Sequence, residues 1–417
     1  MISTVDDTLR EGWKVEELEK LIDLIQNGIS SKQNNERIGY PVSRIETIQN
    51  STFDKNRIKY VDADIDAFNK YKYDIGDISF SHINSYEIIG KVAIYRGDID
   101  NLLHGVNLLR LKFNDKIYSE YGYYFFKSSL ARKEYEPHIK RAINQASINQ
   151  KNLKSILVPF PPLEEQQRIV AKIDGLFAKI DKAISLTEES LVHAKNLLPS
   201  VLKEVFERGK ADGWEEKEFG EVITTLTDYH ANGSYKVLKK NVDLKDVEDY
   251  AWMIRSTDFE KDFKNSLKYI DKHAYDFMSK SQVYGNEIIM SKIGNAGIVY
   301  LMPSIDRPVS LAMNLFLIRL NENIVLPDFI FRFLKSNGGK AQIKKRLKGA
   351  TTKTITKDNV RNIIISYPNL NEQKKTIKKL NNLSVEAKKL EIIYQQNIND
   401  LDDLKRSILD KAFKGEL

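Results

Sequence analysis

The sequence predicts an α+β protein in which two mixed α/β globules alternate with two long helices, as a tandem repeat with pseudo-twofold symmetry. Three observations lead to this prediction: an internal repeat of about 207 residues, short β-like runs in the first part of each repeat, and a long heptad pattern in its second part. The 417 residues are enough for two to four structural units at about 150 residues each.

The internal repeat is clearest around the start of each long helix. Residues 147–166 align without a gap on residues 354–373 and share the apolar positions, one proline and a Leu-x-Glu-Gln ending. Three further matches occur upstream in the same order: Gly12-Trp13 with Gly213-Trp214, Gly76-Asp77-Ile78 with Gly285-Asn286-Glu287-Ile288, and Phe126-Lys127-Ser128 with Leu334-Lys335-Ser336. Chance hardly explains four matches in one order, so the sequence indicates a tandem duplication of about 200 residues.

The first part of each repeat is predicted to be a compact globule of about 150 residues. Short β-like runs, such as 92–95 and 315–318, alternate with Gly and Asn turns. Pro161-Pro162 and Pro368-Asn369 end the last strand of each globule, and Asn369 with Glu372 has the spacing of a helix-capping pair. The predicted domains are residues 1–160 and 209–367 for the globules, and 161–208 and 368–417 for the helices.

Both long helices carry the alternating spacing of three and four residues that is typical of a coiled-coil seam. The seam is predicted at Ile173, Leu176, Ile180, Thr187, Ser190, Leu197 and Val201, and at Leu380, Leu383, Leu390, Tyr394, Asn397, Leu401, Leu404 and Ile408. Because two seams of equal length occur in one chain, we expect them to pair as an intramolecular antiparallel coiled coil. The alternative is that each is an ordinary packed surface helix.

The middle of both seams is polar, with Thr187 and Ser190 on the first helix and Tyr394 and Asn397 on the second. If the helices run antiparallel, these residues are expected to meet in one layer and to fix the register of the pair. Register would matter for a spacer, because a helix of about 45 residues spans roughly 65–70 Å.

The composition permits a nucleic-acid partner without requiring one. The chain has 65 Lys and Arg against 58 Asp and Glu, a net charge of +7, and a pI near 9.0. It has no cysteine, and its six histidines lack zinc-site spacing, so disulfides and thiolate or histidine metal sites are not expected. No apolar stretch approaches the roughly 20 residues of a membrane span, and the acidic N-terminus is unlike a signal peptide, so we expect a cytoplasmic protein without membrane contact.

The segments at the starts of the helices carry a resemblance to a known family. The run Pro-Phe-Pro-Pro-Leu-Glu-Glu-Gln-Gln-Arg-Ile-Val at 159–170, its weaker copy at 366–377, Gly-Asp-Ile at 76–78 and the terminal 412–417 are similar to type I restriction–modification specificity subunits. The resemblance covers nearly the whole chain. The second copy departs from the pattern, with Asn369 and Asn371 in place of Pro and Glu.

The resemblance implies a function for each part of the chain. Each globule would be a target-recognition domain that reads one half of a bipartite site in double-stranded DNA. The helices would set the gap between the halves and dock two methyltransferase subunits, which restriction–translocase subunits join. This chain would hold no cofactor, whereas S-adenosylmethionine, ATP and magnesium are expected in the partner subunits.

The residues themselves show no catalytic motif. Phe160-Pro161-Pro162-Leu163 only superficially resembles an amino-methyltransferase motif, and Gly294-Asn295-Ala296-Gly297 is most simply a turn. A phosphate-binding Gly-x4-Gly-Lys-Ser/Thr loop is missing from the sequence. Glu-x-Lys triplets occur at 215–217 and 386–388, but without an upstream Pro-Asp at the spacing of a nuclease centre. The sequence therefore predicts a non-catalytic subunit.

Basic segments at matching places in both globules are the candidate DNA contacts. Residues 335–357 hold eight Lys and Arg and no Asp or Glu, which suits phosphate binding. The candidates in the second copy are Lys340, Lys344, Lys345, Arg346, Lys348, Thr351, Thr352 and Lys353, and those in the first are Arg132, Lys133, Lys140, Arg141, Gln145 and the neighbouring Asn144. A strand–turn adds Ser81 and His82, with Lys292 and Asn295 in the other copy.

Two alternatives remain open at this point. The chain could be a non-catalytic coiled-coil scaffold that displays two protein-binding globules, or, less in keeping with its motifs, a nuclease. Salt-dependent DNA binding would distinguish a DNA specificity subunit from the scaffold. Magnesium-dependent cleavage by the chain alone would indicate the nuclease.

Overall fold

The computed structural model describes residues 11–143 and 145–417, which form two compact units. The first unit contains the described residues up to Glu188 together with Gln396–Leu417, and the second contains Glu189–Gln395. Each unit therefore consists of one globule, one part of the first long helix and one part of the second.

The first unit is built around an antiparallel sheet in the strand order β2-β10-β6-β8. A second four-stranded sheet has the order β3-β5-β4-β9, in which β4 and β9 are parallel. The elements are β1 (Lys14–Glu17), β2 (Ile22–Asn27), β3 (Gln33–Asn34), β4 (Tyr40–Ser43), β5 (Lys59–Val61), α1 (Ile65–Tyr71), β6 (Ile78–Ser81), β7 (Ile83–Asn84), β8 (Val92–Ile94), β9 (Leu103–His104), β10 (Leu108–Phe113), α2 (Ser119–Lys127), α3 (Ser129–Tyr135), β11 (Lys140–Ala142), β12 (Gln145–Ser147), α4 (Gln150–Lys154), β13 (Leu157–Phe160) and the beginning of α5 (Leu163–Ala211).

The second unit has the same kind of central sheet, in the order β15-β23-β19-β21, and a four-stranded sheet in the order β17-β16-β22-β18. Its elements are β14 (Glu215–Glu218), α6 (Phe219–Val222), β15 (Ile223–Asp228), α7 (Tyr235–Asn241), β16 (Ala251–Ile254), α8 (Ser256–Glu260), β17 (Tyr269–Ile270), α9 (Lys272–Phe277), β18 (Gln282–Val283), β19 (Ile288–Ser291), β20 (Ile293–Gly294), β21 (Val299–Leu301), β22 (Val309–Leu311), β23 (Leu315–Leu320), α10 (Pro327–Lys335), α11 (Asn337–Arg346), β24 (Lys353–Thr354), α12 (Lys357–Arg361), β25 (Ile364–Tyr367) and the beginning of α13 (Leu370–Phe413).

The two units repeat one topology, which confirms the predicted tandem repeat and α+β fold class. The antiparallel pair β1·β13 recurs as β14·β25, and the parallel pair β4·β9 recurs as β16·β22. The isolated bridges match as well. In the second unit, Lys245 pairs with Tyr269 at the place where the first unit has the strand pair β3·β5. In the first unit, Lys72 pairs with Leu103 at the place where the second unit has the strand pair β18·β22.

The two long helices run antiparallel within each unit. In the first unit, the Arg168 side chain donates to the carbonyl of Leu417 at 2.7 Å, and Lys405 forms an ion pair with Asp181, so rising numbers on α5 meet falling numbers on α13. The ring of Phe413 packs on Tyr121 of α2 at a centroid distance of 5.0 Å. In the second unit, Leu202 and Phe206 share an apolar cluster with Leu380. Hydrophobic burial against a helix and a sheet at once thus holds each helix in place.

The predicted seam is buried or half-buried except at two positions of α13. Asn397 is exposed, and Leu404 is 47% exposed, so the prediction is wrong for these two residues. Ile398 and Lys405 are half-buried in their place, while Leu401 and Ile408 keep their positions. The observed positions 394, 398, 401, 405 and 408 keep alternating steps of four and three residues, so the stripe differs from the prediction only in which step comes first.

The Leu-x-Glu-Gln motif ties each long helix to its globule. The side chain of Gln166 is fully buried; it accepts from Tyr118 N at 2.8 Å and donates to the carbonyls of Lys116 and Pro161, both at 2.9 Å. Gln373 repeats the pattern with Leu326 N at 2.8 Å and with the carbonyls of Ile324 and Pro368 at 3.0 and 2.8 Å. The motif is therefore explained by the fold.

The Gly-Asp-Ile element is likewise structural. Asp77 is buried and accepts from Asp74 N at 2.7 Å and from Arg110 Nε at 2.5 Å. Its counterpart Glu287 accepts from the backbone of Tyr284 at 2.9 Å and pairs with Arg319 at 3.2 Å. In both units a buried carboxylate closes the turn before the central strand, and its charge is balanced by an arginine.

Candidate nucleic-acid interface

A basic β-hairpin projects from the first globule. Strands β11 and β12 pair antiparallel, and β12 also pairs with β7, which anchors the hairpin to the domain. Lys140, Arg141 and Gln145 are exposed, and Ile143 near the tip is 94% exposed. Asn144 lies outside the described residues. The predicted DNA contacts Lys140, Arg141 and Gln145 therefore lie on an exposed surface, where a large anionic partner would have access to them.

Two arginines that contact the Tyr86 ring have different roles. The guanidinium of Arg141 stacks over the Tyr86 ring, 3.4 Å from its centroid, and the residue remains exposed. Arg132 instead donates to the carbonyls of Ile89 and Tyr86, at 2.8 and 3.0 Å. The prediction that Arg132 binds phosphate is therefore corrected, because its donors already hold the turn at residues 86–89. The adjacent Lys133 is exposed.

The second globule carries the equivalent hairpin. Lys348 and Thr354 exchange backbone hydrogen bonds, each of 2.9 Å, and close an exposed tip that holds Thr351 and Thr352. Gly349 has a φ of 97°, and a Cβ there would lie 2.2 Å from the carbonyl oxygen of Thr352, so this tight turn requires glycine. Lys353 is exposed and donates to the carbonyl of Gly349 at 2.7 Å.

Helix α11 precedes this hairpin and presents lysines to solvent. Lys340, Lys344 and Lys345 are exposed. Arg346 is only partly exposed and donates to the carbonyls of Gln342, at 3.1 Å, and Asn362. The prediction that Arg346 binds phosphate is corrected for the same reason as that for Arg132, because Arg346 donates to backbone carbonyls instead. The guanidinium has several donors in one plane, which suits it for joining two loops.

Most of the strand–turn candidates are buried, so the prediction that they contact DNA directly is corrected. Ser81 is fully buried, and His82 is 6% exposed with its Nε2 3.2 Å from Asn27 Nδ2. Burial lowers the pKa of His82 to about 4, so the ring is neutral at pH 7. Lys292 forms an ion pair with Asp228 at 2.9 Å, and only Asn295 of this group is exposed.

The two units fill this buried position with different but equivalent pairs. His82 and Asn27 in the first unit correspond to Lys292 and Asp228 in the second. Burial alone would raise the pKa of Asp228, but the hydrogen bond and charge of Lys292, together with Lys357, hold it below its ordinary value. A neutral pair and an ion pair thus serve one structural purpose, since both join the central sheet at the edge that faces the hairpin.

Sequence reasoning missed an exposed turn that lies beside these buried pairs. Leu108 pairs with Ser81, and Leu315 pairs with Ser291, so the preceding Asn107 and Asn314 stand at the same edge of the sheet. Both asparagines are exposed, as are Val106 and Met313 before them. The aligned apolar–Asn dipeptide was the available signal, but two residues are too few to stand out without the topology.

A cleft adjoins this turn in each globule. In the second unit it measures about 590 Å³ and is lined by Met313, Asn314, Arg255, Lys239 and Ile293 among others, with no acidic residue in the described lining. The equivalent cleft in the first unit, about 190 Å³, is lined by Val106, Asn107, Arg44 and Glu46 among others. Ile293 also pairs with Thr354, so the larger cleft borders the hairpin sheet.

The larger cleft owes one wall to an insertion. Ile22 corresponds to Ile223 but Tyr40 to Ala251, so ten residues are added between these strands in the second unit. They include α7, of which only Leu238 is buried. Lys236, Lys239 and Lys240 are exposed, and Tyr235 is 63% exposed. A helix with one buried residue contributes little to the core, so its basic face is available for binding.

Two negative findings concern the described part of the chain. Within residues 11–143 and 145–417, His, Asp and Glu form no cluster of three that could hold a metal ion. Over the same ranges, no helix has both the length and the apolar character needed to cross a membrane.

Comparison with known proteins identifies the family that has this architecture. The family model of the type I restriction modification DNA specificity domain matches residues 10–188 and 211–397. A type I restriction enzyme MjaX specificity subunit of Methanocaldococcus jannaschii is 32% identical over 98% of this chain and 94% of its own length. The EcoKI specificity subunit of Escherichia coli is 30% identical over 45% of this chain and 41% of its own.

Solved structures agree on the fold. A chain from a study of complex assembly and conformational transition of the type I R-M system aligns with a TM-score of 0.74 at 18% identity, over 98% of this chain and 99% of that one. The HsdS subunit of Thermoanaerobacter tengcongensis aligns with a TM-score of 0.60 at 17% identity, over 98% of each chain. The chain belongs to the type I restriction–modification DNA specificity subunit family.

Proposed function

We propose that this non-catalytic specificity subunit recognises a bipartite site in double-stranded DNA, one half with each globule. The observation that carries the proposal is that an exposed basic hairpin occurs at the same place in both globules, through β11–β12 in one and the 348–354 turn in the other. Exposed lysines suit phosphates, and the adjacent turns and clefts offer side chains for base edges. The two surfaces differ in residues, so the two half-sites are expected to differ.

The helices are proposed to act as the spacer between the two readers. Helix α5 is continuous over 49 residues and contributes to both units, as does α13 over 44 residues. At 1.5 Å per residue, a helix of this length is on the order of 70 Å long, which would suit a spacer. We also propose that Thr187, Ser190 and Tyr394, which are half-buried in the middle of the seam, set the register of the helical pair.

The helices are further proposed to dock two methyltransferase subunits, which restriction–translocase subunits then join. Large apolar side chains are exposed along them, including Leu186 at 55%, Val192 at 55%, Ile392 at 61% and Ile393 at 50%. Exposed apolar residues in mid-helix are typical of a surface that a partner covers. S-adenosylmethionine, ATP and magnesium would belong to those partners, and the complex would work in the cytoplasm.

The test is site selection from a random duplex library by the chain assembled with its methyltransferase subunits, over a series of salt concentrations. The proposal predicts a split motif with one gap length and an affinity that falls with salt. Salt-sensitive binding without a motif would contradict sequence reading. Absence of DNA binding would favour the protein scaffold instead.

A further inference from the structure

The turn before the last strand of each central sheet presents an asparagine to solvent. Asn107 precedes β10 and Asn314 precedes β23, and each follows an exposed apolar residue, Val106 at 39% or Met313 at 50% exposure. Within the described residues, no hydrogen bond from another side chain or from the backbone occupies either side-chain amide. Both amides are thus available to a ligand.

The backbone beneath these amides is held firmly. Lys292 N donates to the carbonyl of Asn314 at 2.7 Å, and Lys292 is itself fixed by Asp228. In the first unit, the strand pairing of Leu108 with Ser81 fixes the turn next to the buried His82. Because the turn is rigid and only the side chain is free, an amide here can bind with a small loss of conformational entropy.

Backbone geometry alone does not explain the recurrence of asparagine. Asn314 has a φ of 67°, a left-handed conformation that asparagine tolerates better than most residues. Asn107, however, is not among the residues with positive φ. The same residue type therefore occurs at the equivalent place with and without a backbone requirement, which points to its side chain.

The surroundings of Asn314 suit binding in a groove of DNA. Asn314 and Met313 line a cleft without an acidic residue in its described lining, in which Lys239 is exposed and Arg255 is paired with the buried Asp258 at 2.7 Å. The cleft is bordered by α7 on one side and, through Ile293, by the hairpin sheet on the other. Lysines that can bind phosphates thus flank an amide and an apolar side chain, the arrangement expected where base edges are read between two backbone strands.

We propose that Asn107 and Asn314 are base-reading residues, each recognising an adenine in the major groove of its own half-site. An asparagine amide can donate to N7 and accept from the N6 amino group of adenine, and Val106 or Met313 would contact the methyl group of a thymine. The inference rests on the proposed function, because it assumes that each globule binds one half-site.

The experiment compares three variants, each assembled with the methyltransferase subunits, in selection from a random duplex library. Asn314→Gly removes the amide without straining the left-handed turn. Asn286→Gly is the matched control, since Asn286 is exposed, has the same φ of 67°, and precedes β19, which runs antiparallel to β23, so that it lies at the opposite end of the sheet. Asn107→Ala tests the first globule.

The expected result for Asn314→Gly is loss of an adenine preference at one position of one half-site, with affinity for the wild-type site falling about 10- to 100-fold and the salt dependence unchanged. Asn107→Ala should do the same in the other half only, and Asn286→Gly should select the wild-type motif. Placing 7-deazaadenine at the affected position should weaken the wild-type complex but not weaken the Asn314→Gly complex further.

Three results overturn the inference. An unchanged motif for Asn314→Gly and Asn107→Ala, with a split motif for the wild type, refutes base reading and leaves the proposed function intact. Equal weakening on all sequences refutes it too, because that indicates a structural role. Failure of the wild type to select any split motif refutes both base reading by the asparagines and the proposed function. Should Asn314→Gly fold poorly, Asn314→Asp keeps the size and backbone tolerance and is expected to lose the same adenine preference.

Discussion

Single buried polar residues determine how each globule joins its helix. Gln166 and Gln373 use both the carbonyl and the amino group of the amide, and every partner is a backbone group. Backbone groups at such a junction lie outside the regular ladders, so they need a side chain as partner. A sequence motif that is identical in both copies is therefore expected wherever the same junction is made.

Replacing Gln373 by Leu should lower the free energy of unfolding by about 3 kcal/mol, because Leu326 N and the carbonyls of Ile324 and Pro368 lose their buried partner. Denaturant unfolding of the full chain measures the change. Lys374→Ala, on the exposed face of the same helix, is the control and should be nearly neutral. A Gln373→Leu variant as stable as the control would contradict the proposed lock.

The buried His82 predicts a pH dependence that belongs to the first unit. Its pKa is lowered by burial from 6.5 to about 4, so its contribution is fully present above pH 6.5 and is lost as pH falls towards 4. The double variant Asn27→Asp with His82→Lys copies the pair of the second unit and should flatten the loss of stability over this range. Unfolding free energies at several pH values check this, and an unchanged slope would count against it.

At the scale of elements, the sequence predicted most of what the structure shows. The 3.5-residue spacing predicted both long helices and most seam residues, but it placed Leu404 inside because an alternating pattern of three- and four-residue steps does not fix which step comes first. The charge pattern located the basic segments but not the hairpins that they form, and it could not separate Lys344, which is exposed, from Arg346, which donates to backbone carbonyls. That distinction depends on which carbonyls the fold brings near.

Helix α7 is the element that sets the two globules apart. Replacing Lys236, Lys239 and Lys240 together by Ala should weaken DNA binding and reduce the log–log salt slope by up to about 3, roughly one counterion per lost phosphate contact. The control is Lys203, Lys210 and Lys217, three lysines of the same unit on α5 and β14. If both triple variants show the wild-type slope, α7 makes no phosphate contact.

At the scale of the whole molecule, a duplicated fold joins two recognition surfaces through two shared helices. Each helix contributes to both compact units, so the unit boundaries at Glu188 and Gln395 fall within helices and not in loops. The proposed spacer role rests on this continuity of the helices across the unit boundaries. The resemblance of the motifs predicted this organisation, whereas the ten-residue insertion that enlarges one cleft became visible only from the strand correspondence.

Inserting seven residues after both Ser190 and Asn397 should lengthen the preferred gap between half-sites and leave the halves unchanged. Each insertion adds about two turns, or roughly 10 Å, while nearly preserving the apolar stripe. Site selection with the assembled complex measures the gap. An unaltered gap with intact binding would show that the helices are not the spacer.

The most direct test of the account is an exchange of residues 213–360 for the equivalent segment of another family member, followed by site selection with the assembled methyltransferase complex. Two independent readers on a common spacer predict that one half of the motif changes to that of the donor while the other half and the gap stay as they were. A change in both halves, or in the gap, would contradict the account.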